Sequence, residues 1–114
     1  MVHESVLELA LEMADGEREH EVIVDRDSMT VEIGKYPGDT TELRNPHTED
    51  EIYYIIEGEG KIRVGDTVHD VKAGDMVFVE RGTEHDFFDI REPITTLIVL
   101  AGKEEHSSYA IRDS

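Results

Sequence analysis

Three side chains in this sequence are suited to hold an ion together: His47, Glu51 and His85. Two imidazoles and a carboxylate form a nitrogen and oxygen set that divalent transition metals accept, and a three-ligand set leaves coordination positions open for substrate, dioxygen or water. Spacing limits how they can meet. On one straight strand His47 and Glu51 would stand about 13 Å apart at roughly 3.3 Å per residue, too far to share an ion. The chain must therefore reverse between them. Thr48-Glu49-Asp50 is a polar trio suited to a tight turn, so His47 ends one strand and Glu51 begins the next. The competing reading is three polar residues at a barrel mouth with no metal. Burial argues against it, because an inward carboxylate beside two histidines is costly unless an ion pairs it.

The neighbours of these residues extend the site. Asn45 shares strand parity with His47, so its amide oxygen is a candidate weak fourth ligand or the holder of a bound water; the alternative is that Asn45-Pro46 only starts a turn. Tyr53 follows Glu51 by two residues and faces the same interior. A phenol beside a cation serves as acid or base once its pKa is lowered, or else it fills the interior and donates one hydrogen bond. Phe87 and Asp89 share parity with His85, the first as pocket wall and the second beyond the metal shell. His3, His20, His69 and His106 have no partner at ligand spacing and are expected at the surface.

The elements that must position these groups are mostly strands. Thr48 with Glu51 also spells a capping box that would open a helix. Composition rejects it, since Ile52 to Ile56 is a run of β-branched and aromatic residues ended by Glu57-Gly58-Glu59-Gly60, a strand and its hairpin turn. Nine short strands are expected, over 20–24, 29–36, 43–47, 51–57, 61–64, 67–71, 76–80, 85–90 and 94–101, many separated by Gly or Pro. Strands of this length and spacing mean a sandwich or barrel. Ser5 with Glu8 caps one short helix through Met13, with Val6, Leu7, Leu9, Ala10 and Met13 as its apolar stripe and Gly16 as its stop. Ile52, Tyr54 and Ile56 form an apolar outward face, which suggests a second sheet or a subunit interface.

Two segments resemble the paired motifs of the cupin superfamily. Residues 45 to 60 are similar to the first motif, supplying His47, Glu51 and Gly58 at its intervals with Asn45 where a first His is expected; residues 74 to 89 are similar to the second, keeping Gly74, Gly82 and His85, with Glu80 in place of Pro and Asp89 in place of Asn. The fifteen residues 59 to 73, between Gly58 of the first motif and Gly74 of the second, are a short spacer typical of minimal single-domain cupins. The resemblance implies an all-β fold, a small antiparallel β-barrel or jelly roll (double-stranded β-helix), here with a short N-terminal helix. It implies a divalent metal, Fe, Mn, Ni, Cu or Zn, held by His47, Glu51 and His85. It does not select a reaction, because cupins host oxygenases, isomerases, lyases and binders. A metal-dependent dioxygenase or related oxidoreductase on a small organic substrate is the leading expectation. A lyase or isomerase using Tyr53, and a binding module without turnover, are the rivals.

Size and charge narrow the field. A chain of 114 residues makes one domain, divided here into an N-terminal helix or arm (1–19), a barrel (20–102) and a C-terminal tail (103–114). With 28 acidic against 11 basic residues the formal charge is −17, which argues against nucleic acid and against an anionic membrane as partners. The absence of a long apolar run or a leader pattern points to a soluble cytoplasmic protein, expected as a homodimer. There is no cysteine, so disulfides and thiolate chemistry are excluded and any metal ligand is nitrogen or oxygen. Neither a phosphate-cradling Gly-rich loop nor a Gly-x-Ser-x-Gly elbow is present. Acid dispersed along the whole chain, with four lysines, suits a salt-accumulating cytoplasm; the alternative is an ordinary acidic domain.

Overall fold

The computed structural model describes residues 5–15, 20–38 and 48–102. The expected strand 43–47, with Asn45 and His47, and the tail from 103 lie outside the described residues. Helix α1 (Val6–Asp15) opens at Ser5, whose Oγ accepts a hydrogen bond from the Glu8 amide at 3.4 Å, as the capping signal required. Its buried stripe is narrower than expected. Ala10 and Met13 are 1% and 0% exposed, but Leu7 points outward at 68%.

Six strands follow: β1 (His20–Asp25), β2 (Met29–Tyr36), β3 (Asp50–Val64), β4 (Thr67–Lys72), β5 (Met76–Val79) and β6 (His85–Ala101). They form one antiparallel sheet in the order β1-β2-β6-β3-β4, with β5 also paired to β3. Alternation along β3 sends Glu51, Tyr53, Ile55 and Ile62 inward, where they meet Val79 of β5 and Phe87, Ile94 and Ile98 of β6 in the main core. Among the described residues no helix is long and apolar enough to cross a membrane.

Two expected breaks are continuous strand. Gly58-Glu59-Gly60 does not reverse the chain; it lies within β3, which shifts register against β6 between Ile55 and Glu57, between Glu57 and Glu59, and between Glu59 and Lys61. The cause is close approach. Gly58 has φ 101°, and a Cβ there would sit 2.2 Å from the Pro93 carbonyl oxygen. The glycines therefore let β3 bend and press on β6 without ending. Pro93 is likewise no break, because β6 passes through it at the bulge, where the missing N–H costs no ladder bond: Glu92 and Thr95 pair with β3 and Pro93 does not. Asp50, expected in the turn, is the first residue of β3, after bends at Thr48 and Glu49.

The other face of the sheet carries α1 over β2 and β6. Lys35 Nζ donates to the Met13 carbonyl at 3.1 Å, and Ile33 beneath the helix is 0% exposed.

Candidate metal centre

Glu51 lies at the start of β3, paired with Leu100 on β6 and Val79 on β5. His85 opens β6 and pairs with Val64 at the far end of β3. On straight strands these two positions would be separated by about 43 Å at roughly 3.3 Å per residue. Instead His85 Nε2 and Glu51 Oε1 are 2.8 Å apart, with side chains 1% and 2% exposed. The bend at Gly58 and Gly60, together with the short β5–β6 connection, curls the sheet until its ends face each other.

The connection also orients the imidazole. In the turn after β5, the Thr83 amide donates to the Glu80 carbonyl at 3.2 Å and Gly82 takes φ 78°. The Thr83 carbonyl then lies 2.9 Å from His85 Nδ1. A carbonyl oxygen only accepts, so Nδ1 carries the proton, and in the neutral ring Nε2 presents a lone pair to Glu51. Two acceptors 2.8 Å apart in a dry interior repel unless a proton or a cation lies between them. An imidazole whose outer nitrogen is tied to a backbone carbonyl while its inner nitrogen meets a carboxylate is also the usual setting of a metal-bound histidine. The donor set thus fits a divalent transition metal. Among the described residues no third His, Cys, Asp or Glu joins the pair. The remaining candidate ligands, His47 and Asn45, lie outside them.

Tyr53, on the same face two residues after Glu51, is 0% exposed, and its ring centroid lies 6.0 Å from that of His85. Phe87 stacks edge-on against Tyr53 at 5.0 Å and tilts against Tyr36 at 4.7 Å, so the three rings wall the interior beside the pair. Asp89 lies away from it, half-exposed and 3.8 Å from Lys61, with φ 47°, a conformation that Asp tolerates better than most residues. His69 and His20 are both exposed, His20 Nε2 lying 3.0 Å from Glu32 Oε1 of β2, and His3 and His106 lie outside the described residues.

Sequence reasoning missed the support of the site. Asp50 Oδ1 accepts from the Arg81 amide at 3.0 Å and from Arg81 Nε at 3.4 Å, and Asp50 Oδ2 accepts from Nη2 at 3.3 Å. Burial works to raise the Asp50 pKa, but the Arg81 amide, the guanidinium hydrogen bonds and its charge prevail and hold the carboxyl below its ordinary 3.8. No periodicity signals a pairing across thirty-one residues. Asp86 was also unmarked: it is 7% exposed, and among the described residues its Oδ1 has no hydrogen-bond partner.

The sequence profile of the cupin domain matches residues 31–100. An uncharacterised protein of Streptomyces coelicolor is 32% identical over 77 residues, covering 68% of this chain and 73% of its own. Among solved structures, a DMSP lyase of Ruegeria pomeroyi superposes with TM-score 0.66 at 22% identity over 77% of this chain and 48% of the lyase. An Fe(II) enzyme, HppE, solved with its substrate, superposes with TM-score 0.64 at 18% identity over 71% of this chain and 52% of the enzyme. The chain thus spans about half of each of these two enzymes, which share its fold.

Proposed function

The chain belongs to the cupin family, and from that premise we propose that it is a metal-dependent oxidoreductase of the dioxygenase kind, acting on a small organic molecule in the cytoplasm. The observation that carries the metal reading is the buried contact of His85 Nε2 with Glu51 Oε1 at 2.8 Å while Nδ1 is committed to the Thr83 carbonyl. Glu51 and His85 would hold the ion, with His47 as the third ligand and Asn45 as a weaker fourth. Bound there, a divalent transition metal supplies Lewis acidity and, where it is iron or copper, access to dioxygen.

The chain's own residues set the conditions for that chemistry. The Thr83 carbonyl fixes the imidazole tautomer and ring angle, so His85 is oriented before any ligand arrives. Tyr53, Phe87 and Tyr36 exclude water from the wall beside it, which strengthens every electrostatic contact inside. The ligand set accepts Fe, Mn, Ni, Cu or Zn, and cellular supply selects among them.

A lyase or isomerase is the second reading, favoured by the placement of the Tyr53 phenol on the same face as the pair, where it would take or return a substrate proton. The two neighbouring enzymes point to different reactions, and their likeness supports the fold alone.

Elemental analysis tests the metal centre. One divalent metal per chain is expected in the wild type and none in Glu51→Ala or His85→Ala, each still folded by circular dichroism. Undiminished metal in both variants would overturn the assignment. Oxygen uptake by iron- or copper-loaded protein then separates an oxygenase from a binder, and Tyr53→Phe disables only the lyase.

A further inference from the structure

Buried charge does not balance among the described residues. Glu51 and Asp86, 2% and 7% exposed, are both carboxylates, and no described lysine or arginine is buried with them. Asp86 follows His85 on β6, where alternation sends neighbouring side chains to opposite faces, so it does not join Glu51 and His85 as a ligand. Arg63 of β3 stands directly opposite Asp86 in register. It is exposed, however, with its guanidinium 5.0 Å from the Phe88 ring centroid, and Asp86 Oδ1 has no hydrogen-bond partner among the described residues. A carboxylate out of water is costly to keep unless donors or a positive charge meet it.

We propose that Asp86 is a second carboxylate of the metal centre, one that holds the ion through space from behind His85 without ligating it. The inference rests on the metal reading above and extends it to a residue outside the ligand set. Charge supports it first. The Nδ1 contact with the Thr83 carbonyl leaves His85 neutral when Nε2 faces the ion. Glu51 alone would therefore leave a divalent ion with one uncompensated positive charge, and Asp86 balances it.

Position separates Asp86 from the other carboxylates of this acidic chain. One strand step, about 3.3 Å, divides its backbone from that of His85. Glu84 and Asp89, its acidic neighbours along the chain, are exposed, so solvent and salt damp their fields. Asp86 is out of water, where a charge acts across several ångströms with little screening. The unmet charge that destabilises the metal-free fold is thus the charge that attracts the ion.

Two measurements without turnover test this: zinc affinity by competition with a chelator, and the urea midpoint of chelator-treated protein. Asp86→Asn should bind zinc about tenfold or more weakly than the wild type, while Asp86→Glu, which keeps the charge, should keep most of the affinity. The metal-free midpoint of Asp86→Asn should be no lower than that of the wild type, because an unpaired buried charge has been removed. A residue that only supports the fold would lower both together. If Asp86→Asn fails to fold, Asp86→Ser carries the same two measurements, and failure of both to fold overturns the proposal. Unchanged zinc affinity in Asp86→Asn, or a metal-free midpoint that falls with the affinity, overturns it as well. A wild type that takes up no zinc overturns the metal reading itself.

Discussion

Asp50 and Arg81 staple the strand that carries Glu51 to the turn that carries Thr83. Three hydrogen bonds, at 3.0, 3.4 and 3.3 Å, join the one carboxylate to the amide and guanidinium of Arg81. Asp50 immediately precedes Glu51, and Arg81 stands two residues before the carbonyl that orients His85. One ion pair therefore joins the segment that carries Glu51 to the turn whose carbonyl meets His85. Arg81 follows Glu80 in the turn after β5, so these bonds tie that turn to the start of β3.

Removing the staple should loosen the centre before it unfolds the protein. Arg81→Ala is expected to cost about 2 kcal/mol, the scale of charge-assisted hydrogen bonds lost from a partly buried carboxylate. It should also speed metal loss to a chelator. Arg81→Lys should recover only part of both effects, because an ammonium cannot reproduce the guanidinium fork. Metal loss at the wild-type rate in Arg81→Ala would separate the staple from the site.

The same pair gives an acid dependence of defined sign. The Asp50 carboxyl is held below its ordinary 3.8 in the folded state, so its contribution is fully present above the unfolded value and disappears as pH falls through the folded one. In chelator-treated protein, the urea midpoint of Asp50→Asn should lie below that of the wild type at about pH 6, and the gap should close as pH falls below the ordinary carboxylate range. A gap independent of pH would mean that the charge of Asp50 is not what the fold uses.

Gly58 and Gly74 share a left-handed backbone but not a neighbourhood. A Cβ at Gly58 (φ 101°) meets the Pro93 carbonyl oxygen at 2.2 Å and the Ile94 Cα at 2.6 Å, whereas at Gly74 (φ 94°) nothing lies within 4 Å. Gly58→Ala therefore adds a backbone collision to the conformational strain and should cost about 3 kcal/mol or more. Gly74→Ala carries the strain alone, about 1 kcal/mol. Equal losses in thermal melts would show that the bulge can widen without penalty.

Salt should stabilise the domain steeply. With a net charge of −17, most surface carboxylates face others of like sign. The screening length falls from roughly 30 Å at about 0.01 M salt to roughly 3 Å at about 1 M. With metal saturating, the melting temperature should climb across that range in KCl. A flat profile would refute the charge argument and the salt-adapted origin drawn from it.

Much of the architecture was legible in the chain, because alternation along 51–57 and the Gly-bounded segments 67–71 and 76–80 are local properties of β-structure. The buried positions of Glu51 and His85 were legible for the same reason: each shares strand parity with an inward aromatic, Tyr53 and Phe87. Local signals misled where one residue type serves two geometries. Gly58-Glu59-Gly60 supplies the same positive-φ freedom to a hairpin and to a bulge, and only the approach of Pro93 from β6 selects the bulge. That selection has a structural consequence, since a β3 that continues and bends is compatible with the contact of Glu51 with His85. Residue types, motif spacing and net charge were thus determined by the sequence itself. The convergence of Glu51 with His85 and the Asp50–Arg81 staple were decided by the tertiary structure, because each depends on how far two strands bend before they meet.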